Sequence, residues 1–267
     1  RAPTTMTQTL TKYGLYEALF AALGQARNDE PAWLAEMRAK GFERFQQVGF
    51  PVERRGNEEW KYTNIKPIAE AVFEYPAAAG DVPLSAITDR LPFDTGMTRI
   101  VFVDGHFAEA LSTAPAEGVT VMPLSQAIRK HTGLVEKHLG QYAQVNHGAF
   151  AALNAALFAD GAFVVAEGAT RMPVHLVYAT TTAGSMTYPR TLVVAGPTSE
   201  LTLVETYVSL TDGNHFTDAV TEIVLEDGAR VDHYRLLLEN DSAYQVGQVR
   251  ASQGRDTHYG GLVYETG

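Results

Sequence analysis

The spacing of hydrophobic positions differs between the two halves of the chain. From Pro173 onward, runs rich in Val, Thr, Tyr, Ile and Leu follow one another, each bounded by Gly, Pro, Asp or Asn, as is typical of β-strands. These runs predict strands at 172–182, 188–196, 199–210, 218–227, 229–239 and 243–253. No apolar stripe of helical period separates them, although a parallel sheet with crossover helices would need one after nearly every strand. The pattern therefore predicts an all-β half, built as a solenoid, a sandwich or a barrel.

The preceding residues have apolar positions at helical spacing. They predict helices at 13–23, from Pro31 to Val48, at 123–142 with a break near Gly133, and at 146–158. A strand at 99–103 runs into a tight Asp104-Gly105 turn. We therefore predict a mostly helical region at 1–95, a mixed α/β region at 96–160 and a β-core at 161–267.

Charge and composition exclude several functional classes. The 267 residues carry a net charge of −10, which repels nucleic-acid phosphates and anionic lipid, so we expect neither partner. The longest apolar stretch, 150–166, is broken by Asn154 and Asp160 and is too short and too polar to span a bilayer. The chain contains no cysteine, which rules out disulfides and thiolate ligation of zinc or iron by this chain and fits a cytoplasmic protein.

Motifs for catalysis or metal binding give weak signals. The nucleotide-binding, zinc-protease and nucleophile-elbow patterns do not occur. His131 and His138 are seven positions apart and could share a metal, but we interpret them as surface or edge residues. Charged residues on the predicted strands could form a lyase-like cluster, although alternating charges on an outer face explain them more simply: Glu222, Arg230, Asp232 and Arg235.

Three stretches are more distinctive. The first follows a helix that ends in Gly-Phe-Pro and reads Glu58-Glu59-Trp60-Lys61-Tyr62-Thr63; taken alone, it predicts a loop that Trp60 and Tyr62 anchor to a core. The second extends from Phe150 to Val164 and includes Phe150, Leu153, Asn154, Asp160 and Gly161, with Asn154 able to satisfy backbone groups. The third extends from Gln245 to Asp256 and ends in Gln253-Gly254-Arg255-Asp256.

In this order, the three stretches resemble the SufB/SufD family, subunits of the SUF iron–sulfur cluster assembly complex. The E-E-W-K-Y-T form and the lack of cysteine favour the SufD branch. The resemblance implies a right-handed parallel β-helix core after an N-terminal helical region. It also implies further coils and a helical domain after Gly267, so we expect the β-array to be incomplete here.

The resemblance further implies a non-catalytic scaffold that pairs with a SufB-like paralogue and a SufC-like ATPase. The cluster would be assembled by the complex, and this chain alone would bind no cofactor. We interpret the residues of the three stretches as structural and assign no catalytic, cofactor-binding or metal-binding residue. The open end of the array could pair with a second copy, because unpaired strand edges seek partners. The alternative is a stand-alone β-helix enzyme or carbohydrate-binding module.

Overall fold

A computed structural model describes residues 12–51, 58–93, 95–170 and 172–266. Its α-helices are α1 (Lys12–Ala26), α2 (Ala32–Val48), α3 (Lys66–Glu70), α4 (Leu84–Thr88), α5 (Leu124–Lys130), α6 (Thr132–His138) and α7 (Ala149–Leu157). The two long N-terminal helices lie where the apolar spacing predicted them. Pro31 precedes α2, where its missing N–H costs nothing, and Gly49 ends α2 with a φ of 62°. None of the described helices is long and apolar enough to cross a bilayer.

The strands fall into a short lead-in and a longer regular array. They are β1 (Thr98–Val103), β2 (His106–Phe107), β3 (Val119–Pro123), β4 (Ala162–Ala166), β5 (Val174–Thr180), β6 (Met186–Thr187), β7 (Arg190–Ala195), β8 (Glu200–Ser209), β9 (His215–Leu225), β10 (Arg230–Leu238), β11 (Ala243–Gln253) and β12 (His258–Glu265). All six runs predicted as strands after Pro173 are confirmed. The predicted strand before the Asp104-Gly105 turn is confirmed as β1.

The regular array is a parallel β-solenoid of about four turns. Of the three architectures that the sequence pattern allowed, the structure is therefore the solenoid and not the sandwich or the barrel. One sheet has the order β12-β10-β8-β5-β1-β2, and the other has the order β11-β9-β7-β4-β3. Neighbours are parallel except for the pairs β1–β2 and β3–β4. We call these the first and the second sheet. Val174 pairs with Leu203, Leu203 with His233 and His233 with Gly261, so successive coils are 29, 30 and 28 residues long.

One corner of the solenoid repeats its backbone conformation from coil to coil. Thr198, Gly228 and Asp256 have φ values of 56°, 77° and 55°. Each lies two residues before a member of the paired series Glu200, Arg230 and His258. The left-handed residue turns the chain into the next strand of the first sheet. Asp256 of the third distinctive stretch is therefore a corner residue.

The hydrophobic core has two main parts. Inside the solenoid, the rings of Phe102, Tyr178 and Tyr207 stack at centroid distances of 5.1 and 5.0 Å, one per coil. Outside the second sheet, α7 is buried along its whole length and contacts both α2 and β9. Burying one large apolar side chain stabilises the fold by about 1.5–3 kcal/mol. The helical region and the outer face of the second sheet therefore share one part of the core, which is separate from the part inside the solenoid.

Two arginines fasten the C-terminal end of α7. Arg38 donates to the carbonyl oxygens of Ala156 and Phe158 at 3.3 and 2.9 Å, and Arg27 donates to the same two oxygens at 3.3 and 3.0 Å. The last carbonyls of a helix have no intrahelical donor and carry partial negative charge, so cations are favourable there. Residues just after α1 and within α2 thus fix the position of α7.

The predicted boundaries fail in two places. The helix expected at 123–142 divides into α5 and α6 at His131, not at Gly133, and it ends at His138. The hydroxyl of Thr132 donates to the carbonyl of Ile128 at 2.8 Å, a local bond that competes with helix propagation. Strand β12 was not predicted, because two adjacent glycines weaken the strand signal of its sequence.

Candidate functional site

The first two distinctive stretches meet on the outer side of the second sheet. The ring of Trp60 lies 5.2 Å from that of Phe150, the first motif residue on α7. The residues around Trp60 in this turn are mostly in solvent, since Glu58, Glu59 and Thr63 are exposed. The ammonium nitrogen of Lys61 lies 3.5 Å from a carboxylate oxygen of Glu58.

Trp60 anchors the turn, but Tyr62 does not. Tyr62 is 86% exposed, so the prediction that it anchors the loop was wrong. The N–H of Thr63 bonds the carbonyl of Trp60 at 3.2 Å. In so tight a turn, one aromatic ring faces the core and the other is left in solvent.

On α7, Asn154 links the helix to the solenoid. Its amide donates to the carbonyl oxygens of Pro189 and Asp218 at 3.1 and 2.8 Å, and its oxygen accepts from Arg190 at 3.0 Å. Asn154 is completely buried, so these bonds are needed to offset its desolvation. Leu153 lies in the surrounding apolar cluster.

Arg190 continues this link to Glu222, forming what we call the outer network (Asn154, Arg190 and Glu222). The Arg190–Glu222 ion pair is 2.7 Å long and both side chains are fully buried. The backbone N–H groups of Gly140, Tyr142 and Ala143 also donate to Glu222, each at 2.9 Å. Burial alone would raise the pKa of Glu222, but Arg190 and the three N–H donors outweigh burial and lower it.

Asp218 lies on the same face of β9 in a different environment. It is 1% exposed, and its Oδ2 has no hydrogen-bond partner among the described residues. Burial raises its pKa well above 3.8, although the charge of Arg190 partly opposes this shift. The pKa values of two carboxyl groups four positions apart are therefore shifted in opposite directions, because only Glu222 has a full set of donors.

Asp160 and Gly161 form the turn between α7 and β4. Asp160 accepts from the backbone N–H and the hydroxyl of Ser125 at 2.9 and 2.7 Å, and thereby caps the first turn of α5. Burial raises the pKa of Asp160 despite these bonds. A Cβ on Gly161 would lie 1.9 Å from the carbonyl oxygen of Arg190, so only glycine fits there.

A second polar group, the inner network (Glu205, Thr221, His233, Arg235 and Tyr259), lies inside the solenoid. Glu205 accepts from Thr221 at 2.9 Å, contacts His233 at 3.0 Å and lies 3.6 Å from Arg235. His233 also contacts the hydroxyl of Tyr259 on β12 at 3.1 Å. Burial would raise the pKa of Glu205, but His233 and Arg235 lower it overall.

The Gln253–Asp256 end of the third distinctive stretch contacts the preceding coil. Gln253 pairs with Leu225 at the end of β11, and the N–H of Arg255 donates to Asp227 at 2.9 Å. A Cβ on Gly254 would lie 2.6 Å from a carboxylate oxygen of Asp227. The stretch therefore stacks one solenoid corner on the next.

The structure does not assemble the lyase-like cluster. Glu222 lies on the outer face of the second sheet, and Arg235 lies inside the solenoid. The simpler interpretation of these two as exposed charges was also wrong, since they are 0% and 8% exposed. Arg230 and Asp232 lie on the outer face of the first sheet, as that interpretation expected.

The histidine pair is also separated. His131 connects α5 to α6, while His138 ends α6 and bonds the hydroxyl of Tyr142 at 2.8 Å. His138 is 5% exposed, so the expectation that it is a surface residue was wrong. Among the residues that the structure describes, no three His, Cys, Asp or Glu side chains are placed to hold a metal ion.

Most of the buried ionisable residues described above therefore bind one another or backbone groups, and the carboxyl of Asp218 is an exception. Sequence reasoning missed Arg190, Glu205 and the pairing of His233. Glu205 and His233 are 28 positions apart, about one coil, so only the coil length could have indicated the contact.

Comparisons with protein families and with known proteins point to the same family. Residues 11–172 match the family described as the SufBD protein N-terminal region, and residues 177–267 match the SUF system FeS cluster assembly, SufBD core domain. An iron–sulfur cluster assembly SufBD family protein of Synechocystis sp. is 26% identical over 76% of this chain and 48% of its own length. The iron–sulfur cluster assembly protein SufD of Bacillus subtilis is 24% identical over 86% of this chain and 54% of its own length.

An iron–sulfur cluster assembly SufBD family protein of Pyropia yezoensis is 32% identical over 78% of this chain and 46% of its own length. The chain thus spans about half the length of these curated relatives. The two family matches follow one another and together cover the helical region and the solenoid. The chain belongs to the SufBD family of the SUF iron–sulfur cluster assembly system.

Proposed function

We propose that this chain is a non-catalytic scaffold subunit of the SUF iron–sulfur cluster assembly machinery, of the SufD type. In this role it pairs with a SufB-like paralogue and a SufC-like ATPase. The observation that carries the proposal is the pair of consecutive family matches, at 11–172 and 177–267.

The chemistry of the buried groups supports a mechanical role. In both networks the charged side chains are bound to one another or to backbone N–H groups, and the apolar core surrounds them. Nε of Arg190 and Nε of Arg235 have no hydrogen-bond partner among the described residues, but the carboxylates of both networks are bound, which favours one arrangement of the joined elements. A scaffold needs this property, because its partners must meet at fixed positions.

The cluster is cargo of the assembly in this proposal. The chain has no cysteine, and protein-held iron–sulfur clusters generally require cysteine thiolates. We expect the purified chain to stay colourless after anaerobic incubation with iron and sulfide. A visible charge-transfer absorbance that persists through gel filtration would contradict this part of the proposal. We also expect a cytoplasmic location, which cell fractionation with an antibody would check.

Co-expression tests the proposal directly. The complete reading frame is expressed with its SufB-like and SufC-like counterparts, and the tagged protein is purified and sized by light scattering. We expect one complex that contains all three chains. A protein that elutes alone, while the other two form a complex, would overturn the scaffold role and leave the family assignment intact.

A matched pair of variants separates loss of folding from loss of binding. Replacing Trp60 removes a core contact, whereas replacing Tyr62, in the same turn and 86% exposed, removes only surface. If Tyr62→Ala abolishes the complex while the melting temperature of the chain is unchanged, this turn belongs to a partner interface.

A further inference from the structure

A groove lies between α2 and the segment that follows α6. Its volume is about 610 Å³, within the range of about 300–1,000 Å³ that is typical of ligand sites. Its apolar part is formed by Trp33, Met37 and Leu139, and its rim carries Glu36, Lys40 and Glu136. We call it the α2–α6 groove.

The wall of the groove is held in place from beneath. Three backbone N–H groups of residues 140–143 donate to the buried carboxylate of Glu222, each at 2.9 Å. Gly140 has a φ of 78°, and a Cβ there would lie 2.6 Å from the sulfur of Met37. The groove is therefore preformed, because a fixed loop approaches α2 at a position without a side chain.

Trp33, which lines the groove, carries an unused hydrogen-bond donor. Trp33 Nε1 is buried and has no acceptor among the described residues. A buried donor without a partner is unfavourable, and a carbonyl oxygen from a bound segment would satisfy it after a small movement of the ring. This donor distinguishes the groove from a purely apolar depression.

The rim charges favour a cationic occupant. Lys40 is already paired with Glu36 at 2.7 Å, and Glu136 on the opposite wall has no such pair among the described ion pairs. Two carboxylates and one ammonium leave the rim with net negative charge, on a chain whose total charge is −10. Charge of this sign attracts basic partners and repels acidic ones.

We propose that the α2–α6 groove docks a segment of a partner protein that presents a large apolar side chain next to a lysine or arginine. The apolar side chain contacts Trp33 and Met37, a backbone carbonyl accepts from the Trp33 indole, and the base lies against Glu136 and Glu36. This interaction does not depend on the scaffold role proposed above, since no residue of the groove is assigned to that assembly.

A random peptide library displayed on phage tests the proposal. The library is selected on the full chain, and the enriched peptides are measured by isothermal titration calorimetry. We expect enriched sequences that combine a large apolar residue with a neighbouring Lys or Arg. Their affinity falls about tenfold for the double variant Glu36→Gln/Glu136→Gln, since each exposed ion pair contributes roughly a factor of three.

Two further variants keep the test specific. Gln141→Trp places a large ring at an exposed position of the lining and should abolish binding, whereas Glu43→Gln, on the exposed side of α2, should leave it unchanged. All these positions are exposed, so melting temperatures should stay close to that of the parent chain.

Several outcomes would overturn the proposal. Failure to enrich any peptide, enrichment without basic residues, or equal affinity for the Gln141→Trp variant would each contradict it. If the chain alone forms a dimer and the double variant is a monomer, the groove instead binds a second copy of this chain. Saturable binding of uncharged apolar compounds, unaffected by the double variant, would indicate a small-molecule site.

Discussion

The two faces of strand β9 carry different polar networks. On the outer face, Glu222 is sealed under the helices and binds Arg190 and three backbone N–H groups. On the inner face, Thr221 bonds Glu205, whose partners extend to Tyr259 on the half-exposed strand β12. The outer network joins the helical region to the solenoid, and the inner network joins one coil to the next. Both carboxylates are buried, but Tyr259 at the end of the inner network is partly exposed, so charge removal should cost more in the outer network, where Arg190 is 0% exposed.

Breaking the outer network should have the largest effect. Glu222→Gln leaves the fully buried Arg190 without a counter-charge, and breaking such a pair costs about 3–5 kcal/mol. Urea unfolding followed by circular dichroism measures the loss, and Glu200→Gln, exposed on β8, is the control. A loss no larger than that of the control would show that the ion pair does not hold the two regions together.

Breaking the inner network should cost less. Glu205→Gln keeps the shape and some hydrogen bonds, and the lost charge-assisted bonds contribute about 1.5–3 kcal/mol. The folded-state pKa of Glu205 is lowered from 4.5, so its stabilisation exists above that value and is lost as the pH falls through the folded pKa. The free-energy difference between parent and variant should therefore shrink in acid. A difference that grows toward low pH would contradict the assigned charge state.

Removing the anchor of the first motif should cost somewhat less again. Trp60 is only partly buried against Phe150, so Trp60→Ala should lose about 1–3 kcal/mol, below the roughly 3–5 kcal/mol of a fully buried Trp. Differential scanning calorimetry measures this loss, and Tyr62→Ala should be within about 0.5 kcal/mol of the parent. Equal losses for the two variants would contradict the division of the turn into an anchor and a surface residue.

An effect that is the smallest of the four in acid, and that has the opposite dependence on pH, is expected for Asp218→Asn. The folded-state pKa of Asp218 is raised well above 3.8, so the parent chain loses stability as the pH rises above its unfolded value. Asparagine cannot ionise, so the stability of the variant relative to the parent should increase as the pH rises above about 4, the ordinary pKa of an Asp side chain. Urea midpoints at several pH values measure this trend. A relative stability that falls with pH would show that Asp218 is ionised and paired.

Much of the fold was readable from local pattern. Strands such as 199–210 and 229–239 contain β-branched residues between turn residues, and α2 has a proline start and a glycine end; both signals act within a few residues of the chain. Local pattern left the solenoid and the sandwich open, because the choice depends on pairs such as Leu203 with His233, which are one coil apart. The family resemblance implied the parallel β-helix, and the structure confirms it.

The candidate site was less predictable than the fold. Asn154 and Gly161 could be singled out through the family resemblance, but nothing near Arg190 in the sequence indicates that it lies between Asn154 and Glu222. Sequence spacing likewise suggested a cluster of Glu222 and Arg235, which the structure places on opposite sides of a sheet.

The sequence by itself determined the helices, the β-array, the family and the absence of thiolate ligands, because these follow from short-range spacing and residue chemistry. Only the tertiary structure decided which charges are buried, which carboxyl groups stay ionised and where the α2–α6 groove lies. The physical reason is that desolvation and ion pairing depend on atoms brought together from distant coils. Asp218 and Glu222 share a strand and a face, yet only Glu222 meets the loop at residues 140–143.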